Sequence, residues 1–418
     1  MLPYTNQRIY KGREKEMKQK RKPWTRFRHR VVTQILRCIL GPYSRLRYGV
    51  KTQRLKEERQ YLIVMNHQTP FDQFFVGITF RGPVYYVATE DIFSMGRLSS
   101  LIRWLVAPIP IKKQTMDTSA VRTCIQVARE GGSIAIAPEG NRTYSGKTEY
   151  IKPSIAKLVR GLKLPLACFR IEGGYGVQPR WSDVIRRGPM KAYVSRVVEP
   201  REYRTMSDEE LFALIQQELY VNEAQKDHLY FHENAAEYLE RAIYVCPDCG
   251  LSRFESHRDT IQCLRCNRKV RYLPTKELQG EGFSFPFRFV ADWYDYQQAF
   301  VNQLDLRQFT QEPLYRDAVQ LSQVIVYQRK NLLEKSTELQ LYGDRYVITN
   351  CQGQELVLPF EEVSTAAVLG RNKLNLYSGD TIYQIKGSKR FNALKYVNFL
   401  YRYKNTGKDG EDGKFLGL

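Results

Sequence analysis

The sequence predicts an α/β fold over residues 31–205, a mostly parallel sheet with helices on its faces. Two short apolar runs and a helical pattern between them carry the prediction. Tyr61-Leu62-Ile63-Val64-Met65 is continuously apolar, as a buried strand of a parallel sheet is. Ser133-Ile134-Ala135-Ile136-Ala137 is a second such run. Between them Val121, Ile125 and Ala128 share one face of a helix expected over 118–130, capped near Asp117 and ended by Gly131-Gly132. Residues 83–88 and 164–171 read as further strands, and 153–160 as a short helix.

Each apolar run ends in a polar turn. The first stops at Asn66-His67, and Thr69-Pro70 then reads as a helix start, with Thr69 as N-cap. His67 and Asp72 thus fall on a strand-to-helix turn, where α/β proteins place their chemistry. A histidine there can act as a general base near neutral pH, and a carboxylate can orient its ring and stabilise its charged form. Thr69-x-x-Asp72 is also a capping-box pattern, so a purely structural Asp72 stays open. The second run feeds Pro138-Glu139-Gly140-Asn141-Arg142-Thr143. Gly140 permits close backbone approach to a ligand, and Arg142 offers a planar fork of donors suited to phosphate. The plain alternative is a surface turn with an Arg–Glu pair.

Together the two turns resemble the glycerolipid acyltransferase family that acylates lysophosphatidic acid. Asn66, His67, Thr69 and Asp72 match its motif N-H-x-[ST]-x-x-D. Residues 138–143 match P-E-G-T-R-S, with Asn141 for Thr and Thr143 for Ser. The motif G-x-I-[FP]-[IV]-x-R is met loosely by residues 107–113, Lys113 standing where the family has Arg. A P-[LIV]-x-P segment survives at 165–168, with Cys168 for the second Pro.

The resemblance spans about half the chain. It implies an acyltransferase fold and an enzyme of phospholipid biosynthesis. Such an enzyme moves a fatty acyl group from acyl-CoA or acyl-carrier protein to a lysophospholipid hydroxyl, turning lysophosphatidic acid into phosphatidic acid. His67 is then the base and Asp72 its orienting partner. Arg142 and Lys113 would grip the acceptor phosphate, with Gly140 and Asn141 in the same turn. Glu139 would position Arg142 or the glycerol hydroxyl. Neither Cys124 nor Cys168 has a recognisable base partner, so neither is assigned as a nucleophile. The run 101–106 is assigned to the core, with an acyl-chain groove as the alternative. The rival class is a catalytically inactive membrane- or nucleic-acid-binding adaptor on the same scaffold, against which the intact His67 and Asp72 speak.

Composition adds a charge argument. At 418 residues the chain has room for several cores, and its net charge is +21, from 65 basic and 44 acidic residues. Such an excess implies an anionic partner: membrane lipid, a phosphate-bearing substrate or nucleic acid. Residues 1–30 hold 11 Lys or Arg and 2 Glu, a solvated arm or an electrostatic anchor. Behind Trp24 and Phe27, Val31, Ile35, Leu36 and Leu40 recur at helical spacing among Arg26, Arg28, Arg30 and Arg37. That pattern suits an interfacial helix or one packed on the core. No run reaches the roughly 18 apolar residues of a membrane span, and no signal-peptide pattern precedes the arm. A peripheral protein on the cytoplasmic face of the membrane is the expectation, with no specific nucleic acid partner.

The remaining chain divides into a helical connector (206–243), a zinc ribbon (244–272) and a small β-rich domain closed by a helix (285–405), with a disordered tail (406–418). Ser207-x-x-Glu210 is a capping box before the stripe Leu211, Leu214, Ile215 and Leu219. His228 and His232 have metal-ligand spacing on a helix, but lack a carboxylate constellation and are read as structural. Cys246-x-x-Cys249 and Cys263-x-x-Cys266 match a ribbon holding one structural zinc, with redox dithiols as the alternative. Gly250 and Asn267 follow the two knuckles and tolerate the left-handed backbone that tight turns need. Beyond them, strands are expected at 324–328, 338–342, 345–349, 355–359, 373–377 and 381–385, with a helix at 391–401. That succession resembles a pleckstrin-homology-like barrel forming a separate domain.

Overall fold

The computed structural model describes residues 23–111, 118–224, 228–325 and 330–406. The basic arm up to residue 22, Lys113 and the tail from residue 407 lie outside them. Seven strands form the first sheet: β1 (Val50–Thr52), β2 (Leu62–Met65), β3 (Val84–Thr89), β4 (Ile109–Ile111), β5 (Ser133–Ile136), β6 (Leu166–Glu172) and β7 (Met190–Val198). Their order is β1-β7-β6-β2-β5-β3-β4. Every neighbouring pair is parallel except β6 and β7. The antiparallel β7 is a strand the sequence pattern did not announce. A register shift against Cys168 and Phe169 breaks its alternation.

Eight helices accompany this sheet: α1 (Phe27–Tyr48), α2 (Asp72–Thr79), α3 (Arg97–Val106), α4 (Thr118–Arg129), α5 (Ser154–Leu162), α6 (Gly174–Val177), α7 (Pro200–Tyr203) and α8 (Asp208–Leu219). The alternation of a strand's side chains divides the packing into two cores. Leu62 and Val64 of β2 join Cys124, Val127, Val159, Leu211 and Ile215 from α4, α5 and α8. Ile63 and Met65 join Tyr48, Phe75 and Val76 from α1 and α2. With β5 and β6 on its two edges, β2 is buried along its whole length, which is why it must be apolar throughout.

Two expectations fail here. The run 101–106 is not core: Leu101 and Trp104 on α3 are half exposed. An apolar run alone does not say which face a helix turns inward. Nor is 206–243 helical throughout, although the Ser207–Glu210 capping box does start a helix. Helix α8 stops at Leu219, and from there to residue 243 the only helical element among the described residues is a 3-10 turn, Leu239–Arg241. His228 and His232 therefore share no helix face, and His232 Nδ1 accepts from Asn234 N (3.0 Å). The segment is instead pinned by Tyr230, fully buried, whose hydroxyl donates to Pro189 O (3.1 Å). Its ring lies where Cβ atoms at Gly176 and Gly188 would be.

The C-terminal half adds a ladder of β8 (Val245–Cys246) and β9 (Gly250–Leu251). A four-stranded antiparallel sheet follows, of β10 (Phe254–His257), β11 (Thr260–Cys263), β12 (Lys269–Tyr272) and β13 (Leu278–Gly280). After α9 (Val290–Gln303) come β14 (Tyr315–Gln323), β15 (Asn331–Leu341), β16 (Arg345–Cys351), β17 (Gln354–Pro359), β18 (Val363–Leu369), β19 (Lys373–Ser378) and β20 (Thr381–Gly387). These seven form an antiparallel sheet in the order β17-β16-β15-β14-β20-β19-β18, against which α10 (Ala393–Asn405) packs. The strand expected at 324–328 is displaced: β14 ends at Gln323, and 326–329 lie outside the described residues.

This β-rich part is not a separate body. One core runs from Tyr244 and Val245 through Trp293 of α9 to Leu339 and Tyr396, and reaches back to Tyr144 and Trp181. Trp293 Nε1 donates to Val245 O (2.8 Å), and Gln297 Oε1 accepts from Tyr244 N (2.7 Å).

The Gly176–Tyr230 contact yields a stability prediction. Gly176→Ala drives a methyl group into a fully buried ring and should destabilise the protein by about 1–3 kcal/mol. Adding Tyr230→Leu should make the glycine substitution cost less than it does alone. Urea unfolding of the single and double variants measures both, and additive losses would mean the contact is not the cause.

Candidate active site

The first turn is built around a buried acid. Asn66 clamps the end of β2 to β6: its Nδ2 donates to Ile171 O and its Oδ1 accepts from Ile171 N, both at 2.8 Å. The next five residues wrap the Asp72 carboxylate. Gln68 N (2.7 Å), Thr69 N (3.0 Å) and Thr69 Oγ1 (2.6 Å) all donate to it. Helix α2 consequently begins at Asp72 and not at Thr69-Pro70. Thr69 turns its hydroxyl to Asp72 and accepts only from Phe71 N (3.1 Å), so the cap forms two residues later than the sequence suggests.

His67 Nδ1 lies 2.8 Å from Asp72 Oδ2. With three other donors already aimed at that carboxylate, Nδ1 is the proton donor and Nε2 is left with its lone pair. Asp72 is 0% exposed and His67 24% exposed, so the pair combines a shielded anchor with a reachable base. Asp72 is thus both a first-turn helix residue and the partner of His67.

The second turn locks onto the first. Thr143 N donates to His67 O (3.1 Å). Glu139 Oε1 accepts from His67 N (2.8 Å) and its Oε2 from Glu149 N (2.7 Å). Glu139 therefore holds the backbone of His67 and forms no pair with Arg142, one of the two roles that the resemblance implied for it. Burial pushes its carboxyl well above the usual range, against the pull of the two amides. Burial also raises Glu149 to about 7. Gly140 turns the chain at φ 70°, and a side chain there would meet nothing within 4 Å, leaving open space over the turn.

Arg142 sits deep in this turn. Its Nη1 is buried without a hydrogen-bond partner. Burial first, and then the charge of Arg180, draw its pKa down to about 10. Asn141 is also buried, and its Oδ1 accepts from Arg180 Nη2 (3.3 Å). Arg180 and Arg371, the latter in the β18–β19 turn, both lie outside the sequence motifs. No local signal marks either. Cys124 and Cys168 are buried, and burial pushes both thiols up to about 12, consistent with their exclusion as nucleophiles.

A second cluster lies apart from these turns. The sulfurs of Cys246, Cys249, Cys263 and Cys266 all lie within 4.8 Å of one another. Cys246 Sγ and Cys266 Sγ are 3.8 Å apart, the edge of a tetrahedron with metal–sulfur bonds of about 2.3 Å. Amides of Asp248 and Cys249 bond Cys246, and those of Arg265 and Cys266 bond Cys263. Gly250 and Asn267 take the left-handed conformation after each knuckle, at φ 71° and 61°. This donor set fits a tetrahedral thiolate-bound ion.

The family model described as Acyltransferase matches residues 48–172. A 1-acyl-sn-glycerol-3-phosphate acyltransferase of Bacillus subtilis (strain 168) is 21% identical over 195 residues, covering 46% of this chain and 92% of that protein. Among solved structures, the 1-acyl-sn-glycerophosphate acyltransferase of Thermotoga maritima covers 46% of this chain and 78% of its own, with 19% identity and a TM-score of 0.39. The N-terminal PH domain of human ARAP2 covers 24% of this chain and 86% of its own, with 10% identity and a TM-score of 0.20. The matched region contains both turns, with His67 and Asp72 in contact. The comparisons support an acyltransferase, and residues 48–172 are the part of the chain that matches the acyltransferase family model.

Proposed function

We propose that the protein moves a fatty acyl group from an acyl-thioester to the free hydroxyl of a lysophospholipid, with lysophosphatidic acid as acceptor and phosphatidic acid as product. The observation that carries this reading is the 2.8 Å contact between His67 Nδ1 and buried Asp72. His67 Nε2 takes the acceptor's hydroxyl proton as its oxygen attacks the thioester carbonyl. The C–S bond then breaks, and the departing thiolate takes the proton from His67. Asp72 keeps the ring in the required tautomer and stabilises the imidazolium between the two steps. Glu139 and Thr143 fix the backbone of His67, so the base is aimed before substrate arrives. Arg142, with its unpartnered buried nitrogen, receives the acceptor phosphate, and the open space over Gly140 leaves room for it. Lys113, outside the described residues, is assigned to the same phosphate on the resemblance alone. The donor is coenzyme A or acyl-carrier protein. An inactive adaptor would have no use for a base held this way.

We place the enzyme peripherally on the cytoplasmic face of a membrane. No described helix is long and apolar enough to cross one. Support comes from α1, where Phe27, Val31, Ile35, Ile39, Tyr43 and Leu46 are all exposed at three- and four-residue spacing, one apolar stripe among arginines. Leu98, Leu101 and Trp104 of α3 are exposed as well, and Arg28 ties the helices by donating to Trp104 O (2.9 Å). The apolar residues suit lipid tails and the arginines suit anionic headgroups. A structural zinc is assigned to the four cysteines. Four thiolates fill its coordination and leave no open position for chemistry.

Purified protein supplied with acyl-thioester and lysophosphatidic acid in anionic vesicles should form phosphatidic acid, and no product under any donor would end this reading. His67→Ala should lower the rate by roughly 10²–10⁴, the usual size of a lost general base. Full activity in that variant would remove His67 from the mechanism.

Elemental analysis should find about one zinc per chain, falling on Cys249→Ser together with the thermal midpoint. A metal-free folded protein with a disulfide in either knuckle would favour redox dithiols instead.

A further inference from the structure

Arg142 is one of three arginines that converge on the substrate turn, and the other two come from outside the matched region. Arg180, after α6, donates from Nη1 to Arg142 O (2.9 Å) and from Nη2 to Asn141 Oδ1 (3.3 Å) and Val368 O (3.0 Å). Val368 belongs to β18, so Arg180 bridges the substrate turn and the β18–β19 hairpin. Arg371 is in the turn of that hairpin, 33% exposed, with Nη1 3.1 Å from Asp183 Oδ1. Asp183 is shared, since Arg241 Nη1 also pairs with it at 2.6 Å.

The charge does not balance. Among the described residues neither Arg142 nor Arg180 forms an ion pair, and Arg142 Nη1 and Arg180 Nε are both buried without a partner there. The nearby Glu139 spends both oxygens on backbone amides. Leaving guanidinium groups buried and unpaired costs several kcal/mol unless an anion completes them. The charges of Asp72, Arg371 and Arg142 all act on the Tyr48 hydroxyl, which donates to Gln178 Oε1 (3.0 Å). Arg371 likewise acts on Arg142 itself.

We propose that Arg180 and Arg371 join Arg142 in one site for the phosphate monoester of the acceptor, so that the C-terminal β-rich part contributes directly to acceptor recognition. This rests on the acyl-transfer reading for the identity of the ligand. Arg142 supplies the unpartnered deep donor. Arg180 holds the turn in place and adds charge behind it. Arg371 closes the site from the hairpin and confers the preference for a phosphorylated acceptor. The shared chemistry is a phosphate, which coenzyme A also carries, so the test separates the two sources.

The test compares Arg371→Ala and Arg371→Lys with the unaltered protein. Arg371 is a partly exposed turn residue, so the folded state should survive, and equal thermal midpoints check this. Arg371→Ala should raise KM for lysophosphatidic acid about tenfold or more, the usual worth of a hydrogen bond between charged groups. Its kcat should stay within about twofold, KM for acyl-CoA should not change, and Arg371→Lys should recover part of the loss. The preference for lysophosphatidic acid over the corresponding monoacylglycerol should shrink by the same factor. An unchanged acceptor KM overturns the proposal. So does a raised KM for acyl-CoA that is absent with an acyl-pantetheine donor, which would give the cluster to coenzyme A. Calorimetry with glycerol 3-phosphate separates this proposal from the reaction itself. Binding weakened by Arg371→Ala in a protein that transfers no acyl group keeps the site and removes the reaction. Turnover with Arg371-independent binding keeps the reaction and removes the site.

Discussion

The Asp72 carboxylate has no exposed surface, and the geometry of the site follows from what that costs. A carboxylate taken out of water must be resolvated by polar groups of the protein, or it costs several kcal/mol. Here Gln68 N, Thr69 N, Thr69 Oγ1 and the His67 ring supply that solvation. All come from the five residues preceding it. Their convergence fixes the path of the chain from β2 to α2, and the path fixes the ring. Remove the carboxylate and the donors lose their common acceptor, so orientation of the base and shape of the turn are one interaction. The neighbouring Asn66 clamp ties the same turn to β6, so the sheet beneath cannot shift without moving the base.

Glu139 shows how a second buried acid can sit nearby without undoing the first. Its carboxyl accepts amides from His67 and Glu149, and its protonated form is favoured by burial and, to a smaller extent, by the charge of Asp72. Two ionised carboxylates so close would repel. The amides of His67 and Glu149, each aimed at one Glu139 oxygen, offset part of that cost. The two acids therefore divide the work: Asp72 orients the imidazole, and Glu139 holds the backbone that carries it. Each acts on His67 from a different strand end, so the strands β2 and β5, adjacent in the sheet, deliver both to one residue.

How much of this the sequence discloses depends on the range of the interaction. The His67–Asp72 pair, the 138–143 turn and the four cysteines are each local, with spacing set by one turn or one knuckle, and each is legible. The start of α2 departs from the sequence expectation because two local rules compete: Thr69-Pro70 is a good helix entry, but the Thr69 hydroxyl is spent on Asp72. The face of α3 was misjudged because an apolar run carries no label for inside or outside. The residues after α8 depart from the expected helix because their pinning by Tyr230 depends on Gly176 and Gly188, which lie elsewhere in the chain. Arg180 and Arg371 were invisible for the same reason, since Arg180 meets its hairpin partner Val368 across 188 positions.

That last contact bears on why the chain is longer than the acyltransferase region needs. A domain joined only by a linker would share no core with its neighbour, yet Tyr144 and Trp181 pack in the same apolar cluster as α9 and the seven-stranded β sheet. Arg241 repeats the pattern in polar form, donating to Trp181 O (2.9 Å) and bonding Lys389 O (2.6 Å) while it pairs with Asp183. Apolar packing of this extent resists relative motion, because sliding either part would open cavities and strand buried arginines. The hairpin that Arg180 bridges to Arg142 is consequently held as rigidly as the turn at the other end of that bridge. Rigid placement is what a charge needs if it is to discriminate between acceptors, since a mobile guanidinium would be screened by water and would lose on ordering much of what it gains on contact.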